Sequence, residues 1–216
     1  MRNDYGVNMI RVKHEGVAVT PAAQTPRAYH HGDLRNALVE AGLQLLASRS
    51  ADALSLRELA RTVGVSATAI YRHFPDKAAL QAALVAEGLE RLGARQRLAT
   101  LEAGGGNAGF LASGLAYVRF AVANPALFRL VFSQPHALDW LVADPCEVPA
   151  PMRGLREDIH RLIPAQVAQH RRQAWVLQAW ALVHGLAMLW LDQQIEPDWA
   201  SVEQALMGFG QAMPKV

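Results

Sequence analysis

Leu54–Lys77 reads LSLRELARTVGVSATAIYRHFPDK, and this stretch decides the fold. Ser55 is placed to cap a helix, with Glu58 three residues on to reach back in a capping box. Leu56, Leu59, Ala60 and Val63 then recur at helical spacing, so one stripe faces a core. Gly64 follows the last periodic residue, where a glycine takes positive φ without a Cβ penalty. Ser66 is the next cap, and Ala67–Phe74 is predicted as a second helix stopped by Pro75. Two short helices joined by a tight turn are the result. A generic pair of surface helices shares that pattern.

The chemistry of the second helix points further. Ala67, Ile70 and Phe74 are expected to pack inward, with Thr68, Tyr71 and Arg72 outward and Ala69 and His73 at the edges. No acidic residue lies between Ser66 and Phe74. Small residues such as Ala67 and Ala69 near an N-terminus let a helix sink into a major groove, where Thr68 and Arg72 reach base edges. Tyr71, His73 and Lys77 suit phosphate oxygens, which position a protein without reading sequence. Lys77 falls just inside the next helix, whose N-terminus itself favours a phosphate. Arg57, on the outer side of the first helix, suits either role.

The run Gly64–Leu80, G-V-S-x-x-x-I-Y-x-H-F-x-D-K-x-x-L, resembles the signature of the TetR family of bacterial transcriptional regulators. Leu34–Leu46 resembles that family's first helix, so the likeness covers residues 31–91 without a gap. It implies a three-helix DNA-binding domain with the helix-turn-helix at 54–74, an all-α fold and an operator DNA partner.

Composition agrees with a globular protein. The 216 residues are 51% hydrophobic and 19% charged, enough for one large or two small domains. The formal net charge is +2, unevenly spread. Residues 1–100 carry 13 Lys or Arg against 9 Asp or Glu, and the remainder 8 against 10. That asymmetry suits a first half that meets phosphate and a second that does not. Cys146 is the sole cysteine, so no intrachain disulfide forms, as in a reducing cytoplasm.

Residues 1–30 lack periodicity, contain Pro21 and Pro26, and read as a flexible arm, lengthened if Met9 is the true start. Its beginning has no secretory apolar region. Arg27 is either a DNA contact or a solvated tail charge, and His30–His31 are helix-start residues. Asp33 is a cap or first-turn residue for a first helix reaching Ser48 or Arg49, with Leu34, Leu38, Ala41 and Leu45 on its buried stripe. A longer helix from Asp76 to about Leu98 carries Leu80, Leu84 and Leu92, and a basic end at Arg91, Arg95 and Arg97. The domain boundary is expected between Leu92 and Gly106, with the second domain over 104–216. Gly104-Gly105-Gly106 is a break; it lacks the Lys and Ser or Thr of a phosphate loop.

The second half is also helical. Phe110–Ala123 presents Leu111, Leu115, Val118 and Val122, and Asn124-Pro125 ends it and starts a short helix to Phe132. Ser133–Arg153 has four prolines and no sustained period, so a loop is expected, with one turn around Ala137–Val142. A short helix follows over Gly154–Ile163. Ala165 to about Asp192 is the longest element, and between Ala174 and Leu191 only Gln178 and His184 are strongly polar. The run reaches the lower edge of a membrane span. A helix buried on both sides has the same composition, and no membrane is expected here. Asp198–Met213 forms a last helix with Trp199, Val202, Leu206 and Phe209 on a stripe, bringing the total to about nine.

Trp180, His184 and Gly185, in W-x-x-x-H-G spacing, resemble the WHG-type C-terminal domain of some TetR-family regulators, as does Phe120–Phe132. This resemblance implies a homodimer closed by the last two helices, with Trp175, Trp190, Trp199 and Leu206 at its interface. It also implies a small-molecule effector in a largely apolar pocket near Phe120, Phe128, Trp180 and His184. A core tryptophan with a hydrogen-bonded buried histidine is the plainer reading of that pair. Cys146, His136 and His160 match no metal-ligand spacing, so neither metal nor cofactor is expected. The sequence thus predicts a cytoplasmic, dimeric regulator, a repressor by family habit, and no enzyme. The rivals are a regulator without effector, a membrane-anchored sensor, and a helical enzyme using His184, which would need an orienting carboxylate.

Overall fold

The computed structural model describes residues 31–133, 139–196 and 198–214, and within them only the backbone of 31–33. The proposed arm, Arg27, His30 and His136 lie outside the described residues. Among these residues there are nine α-helices and no strand: α1 His31–Leu46, α2 Leu56–Val63, α3 Ala67–Tyr71, α4 Lys77–Glu102, α5 Gly106–Ala123, α6 Pro125–Ser133, α7 Ala150–Leu162, α8 Gln169–Leu191 and α9 Trp199–Ala212. A short 3-10 turn, Ala51–Ala53, separates α1 from α2.

The first three helices enclose a core that the sequence stripes predict. Leu38, Leu59, Ile70, Phe74, Leu80 and Leu84 are almost completely buried. Gly64 ends α2 at φ 79°, the left-handed geometry in which a side chain would be strained. Ser66 caps α3, its hydroxyl accepting from Ala69 N–H at 3.2 Å.

Some local expectations fail. Ser55 stands at the α2 N-cap without a side-chain cap bond, because Glu58 turns to Arg49 and pairs with it at 2.5 Å. Helix α3 stops at Tyr71, three residues before Phe74, which is buried from a turn and lies under the Arg35 guanidinium, 5.3 Å from its ring centroid. Ala67 is exposed, and Ala69 packs against the core instead. The end of α3 is set by Phe74 reaching back to the core, not by helical phase.

Helix α4 is the spine. Asp76 caps it by accepting from Ala79 N–H at 2.8 Å, and the helix continues through Leu92 to Glu102. Close approaches depend on its glycines: a Cβ on Gly88 would lie 3.0 Å from Leu127, and one on Gly93 only 2.7 Å from that of Ala150. Arg91 pairs with Glu87 on its own helix and with Glu40 of α1. The same helix therefore packs on α1, α5, α6 and α7. Gly104, Gly105 and Gly106 all take positive φ, reversing the chain between α4 and α5.

In the second half, α5 and α6 meet at a bend of 105° at Asn124. The predicted loop before Gly154 is shorter than expected, since α7 already starts at Ala150, with Pro151 tolerated in its first turn. The turn at 139–143 is present, with Ala143 N–H bonded to Asp139 O at 2.9 Å. Helix α8 begins at Gln169 and not at Ala165, because Val167 closes a separate turn on Pro164. Arg172 is its buried cation: it donates to the carbonyls of Pro164 (2.7 Å), Val167 (3.0 Å) and His160 (3.4 Å). A guanidinium thus satisfies the carbonyls left open beyond the end of α7. Asp198 caps α9 through Ala200 and Ser201 N–H groups, both at 3.0 Å.

Candidate nucleic-acid interface and internal cavity

Helix α3 presents Ser66, Ala67, Thr68, Tyr71 and Arg72 at the surface, with Tyr71 46% exposed despite its ring. Ala69 and His73 lie half-buried at the edges, and Arg57 is exposed on neighbouring α2. Ile70 and Phe74 hold this element down from the other side. The outward face carries cationic and neutral donors and no carboxylate. A short helix fixed by core packing, with donors outward, can approach a polyanion and present side chains to a groove.

Lys77 differs from the rest. Its Nζ donates to the Asp52 carbonyl at 2.5 Å, tying the start of α4 to the 3-10 turn. The lysine charge stays beside α3, but the side chain also has a structural duty that spacing alone does not reveal.

The second half contains a cavity of about 50 Å³ between α4, α5, α7, α8 and α9. Trp180 lines it, and Trp140 stacks on Trp180 at 5.6 Å. The other expected pocket residues do not line it. Phe128 is fully buried and stacks on His184 at 5.5 Å, filling the space between α6 and α8. Phe120 is on the other side of α5, facing the groove beside Arg95 and Arg119. His184 lies behind the cavity wall, where Nδ1 meets the Tyr117 hydroxyl at 3.0 Å.

Tyr117 joins the pair that the sequence singled out. The Trp180 side chain also lies near the Tyr117 hydroxyl. A neutral His184 accepts the Tyr117 proton at Nδ1 in its Nε2–H tautomer. Burial pushes the Tyr117 hydroxyl well above its usual pKa and lowers that of His184, so both are neutral. The plainer reading of Trp180 and His184 accounts for the histidine, while the tryptophan also faces the cavity.

Sequence reasoning missed Gln96, Ser113 and Tyr117, all on the cavity wall. Ser113 and Tyr117 are four apart on α5, but only the packing of α4 against α5 brings Gln96 to them.

Leu206 was expected at the dimer interface. It is 5% exposed and packs under α5 beside Val118 and Val202, so its side chain is spent inside the protomer. Trp175 packs on Phe209 at 5.5 Å, and Trp190 on Trp199 at 4.4 Å, leaving parts of these rings outward.

A helix-turn-helix on a continuous spine, followed by an all-helical second half, defines a DNA-binding regulator by class. The bacterial regulatory proteins of the tetR family match residues 38–84, and the tetracyclin repressor-like C-terminal domain matches residues 110–208. The chain belongs to the TetR family of transcriptional regulators. Among solved structures, it resembles a protein of unknown function from Rhodococcus sp. RHA1, with 30% identity, 88% of this chain and 100% of that one covered, and a TM-score of 0.68. A tetR-family transcriptional regulator from Streptomyces coelicolor shares 24% identity over 81% of this chain and 78% of its own, with a TM-score of 0.55. NalD, the secondary repressor of the MexAB-OprM multidrug efflux pump in Pseudomonas aeruginosa, shares the fold at 19% identity over 83% and 95%, with a TM-score of 0.50.

Proposed function

We propose that this regulator is a homodimeric repressor that binds a palindromic operator through α3 and releases it when a small molecule enters the cavity. The acid-free, outward face of α3, held from beneath by Ile70 and Phe74, is the observation that carries DNA contact at these residues. In this reading Thr68 and Arg72 read base edges, while Ser66, Ala67, Ala69, Tyr71, His73, Arg57 and Lys77 position the helix on the backbone. Residues 31–91 make the DNA module and 104–216 the effector and dimer domain, with α4 shared.

The outer faces of α8 and α9 support the dimer. Leu177, Ala181, Gly185 and Leu189 follow one another at steps of four along α8, and Leu177 and Leu189 are 48% and 43% exposed. Met207 on α9 is 44% exposed. Such a stripe on a helix of membrane-spanning length and apolarity is suited to a second copy's matching stripe. Trp175, Trp190 and Trp199, partly exposed, are proposed as further interface residues. The setting is a cytoplasmic protein on chromosomal DNA.

Selection from a random DNA pool tests the whole reading. Enrichment of an inverted repeat with half-sites one turn or a multiple apart, about 34–36 Å per turn, is expected. Enrichment of an unrepeated site, or of nothing, would overturn it.

A further inference from the structure

Gln96 brings a polar group to a cavity whose walls are otherwise mostly apolar or aromatic. Its Nε2 donates to Ser113 Oγ at 3.2 Å and lies 3.4 Å from the Ser113 carbonyl. Its Oε1 is shielded from solvent and has no hydrogen-bond partner among the described residues. Flipping the amide would let Oε1 accept from the Ser113 hydroxyl but would set it against the Ser113 carbonyl and leave Nε2 unpaired in its place, so the orientation with Nε2 on both Ser113 oxygens is favoured. A shielded, unpaired acceptor destabilises the closed cavity, and a donor brought in from outside would remove that penalty.

The wall also defines what is rejected. Among the described residues, no charged side chain lines the cavity. An ionised ligand would be buried without a counter-charge, at high cost. The Tyr117 hydroxyl is already engaged with His184. In its closed form the cavity holds only water-sized molecules, so the ligand must push the walls apart and its apolar body must favour doing so.

We propose that the cavity selects neutral, largely apolar small molecules that carry a hydroxyl or N–H group, with Gln96 Oε1 accepting that hydrogen. This rests on the reading of the cavity as the effector site. Gln96 is the specificity-determining residue, and because it sits on α4 the same contact touches the helix that carries the DNA module.

The test uses the full chain without DNA, titrated calorimetrically with ring pairs that exchange N–H for an ether oxygen. Pyrrole and furan, indole and benzofuran, and carbazole and dibenzofuran give three sizes. In the size that binds, the N–H member should bind about tenfold or more tighter than its ether. Gln96→Met should bring the two within about twofold of each other, with circular dichroism confirming the fold. Ser113→Ala keeps Oε1 and should keep the preference, so the proposal is tested even if the Gln96 variant does not fold. Equal affinity in each wild-type pair, a preference retained in Gln96→Met or lost in Ser113→Ala, or no binding at any size would overturn it. Operator release is measured separately with the same compounds. Binding with preference but without release would remove the effector role while leaving the Gln96 acceptor site standing.

Discussion

The Tyr117 hydroxyl lies 3.0 Å from His184 Nδ1, joining α5 to α8 at the back of the cavity. Phe128 and Phe132 flank the histidine ring at 5.5 and 4.8 Å, so the polar contact sits within aromatic surroundings. Tyr117→Phe keeps the ring but removes the partner of His184 Nδ1. A loss of about 1–3 kcal/mol in urea unfolding is expected. An unchanged midpoint would show that the contact contributes nothing net.

The same histidine makes stability depend on pH. Burial lowers the His184 pKa below its ordinary 6.5 in the folded chain. Between the two values the unfolded chain binds the extra proton, so stability falls as pH drops below about 6.5. His184→Asn cannot take up that proton. Between pH 7.5 and pH 5.5 its melting temperature should therefore decline less than that of the wild type. Parallel declines would exclude His184 as the source.

Arg172 should prove costly to replace. Arg172→Met retains the length but strips the donors from the Pro164, Val167 and His160 carbonyls. About 2–3 kcal/mol of destabilisation is expected from charge-assisted bonds of this kind. A loss below about 0.5 kcal/mol, the level of an ordinary surface change, would mean that water replaces the guanidinium freely.

Gly93 tests the spine. An added Cβ would meet Ala150 at 2.7 Å, contacting α7 too closely to be absorbed without movement of one helix. Gly93→Ala is expected to destabilise by about 1–3 kcal/mol through overpacking. It should also shift DNA affinity, because α4 begins beside α3. A variant with native stability and native DNA affinity would argue that α4 does not link the two halves.

How much of this was legible beforehand follows from which forces act locally. Gly64 and Ser66 announce a turn and a cap through their own backbone chemistry, and the structure has each in that role, while Asp76, expected as the first residue of the long helix, is its N-cap. The apolar stripes of α1, α2 and α4 likewise identify their buried faces. Ser55 and Glu58 show the limit: a capping box is local, and a distant Arg49 outcompetes it. Ala67 fails its inward phasing, and Phe74 packs inward as expected but from the turn after α3, which is only one turn and a half long. The cavity was half legible. Trp180 stood out through the W-x-x-x-H-G resemblance, whereas Phe120 and Phe128 are apolar residues whose direction is set by the bend at Asn124. Gln96 sits between two arginines and reads as surface until α5 covers it. Leu206, chosen for its stripe, is taken by the protomer's own core.

Arg72 and Lys77 separate reading from positioning. Arg72→Ala should cost about 1–3 kcal/mol on the preferred site and relax one or two base positions. Lys77→Ala should weaken all sequences alike and lower the salt slope by about one. Because Lys77 also bonds the Asp52 carbonyl, a small loss of stability is expected with it. Equal loss on specific and random DNA for Arg72→Ala would remove it from the base-reading set.

The most direct measurement is a gel shift of the full chain on the DNA immediately upstream of its own gene, with random competitor and a salt series. A discrete complex that survives competitor at moderate salt, and is lost in Arg72→Ala at the same concentration, is the predicted result. Binding that competitor abolishes, or that Arg72→Ala leaves untouched, would contradict DNA recognition through α3.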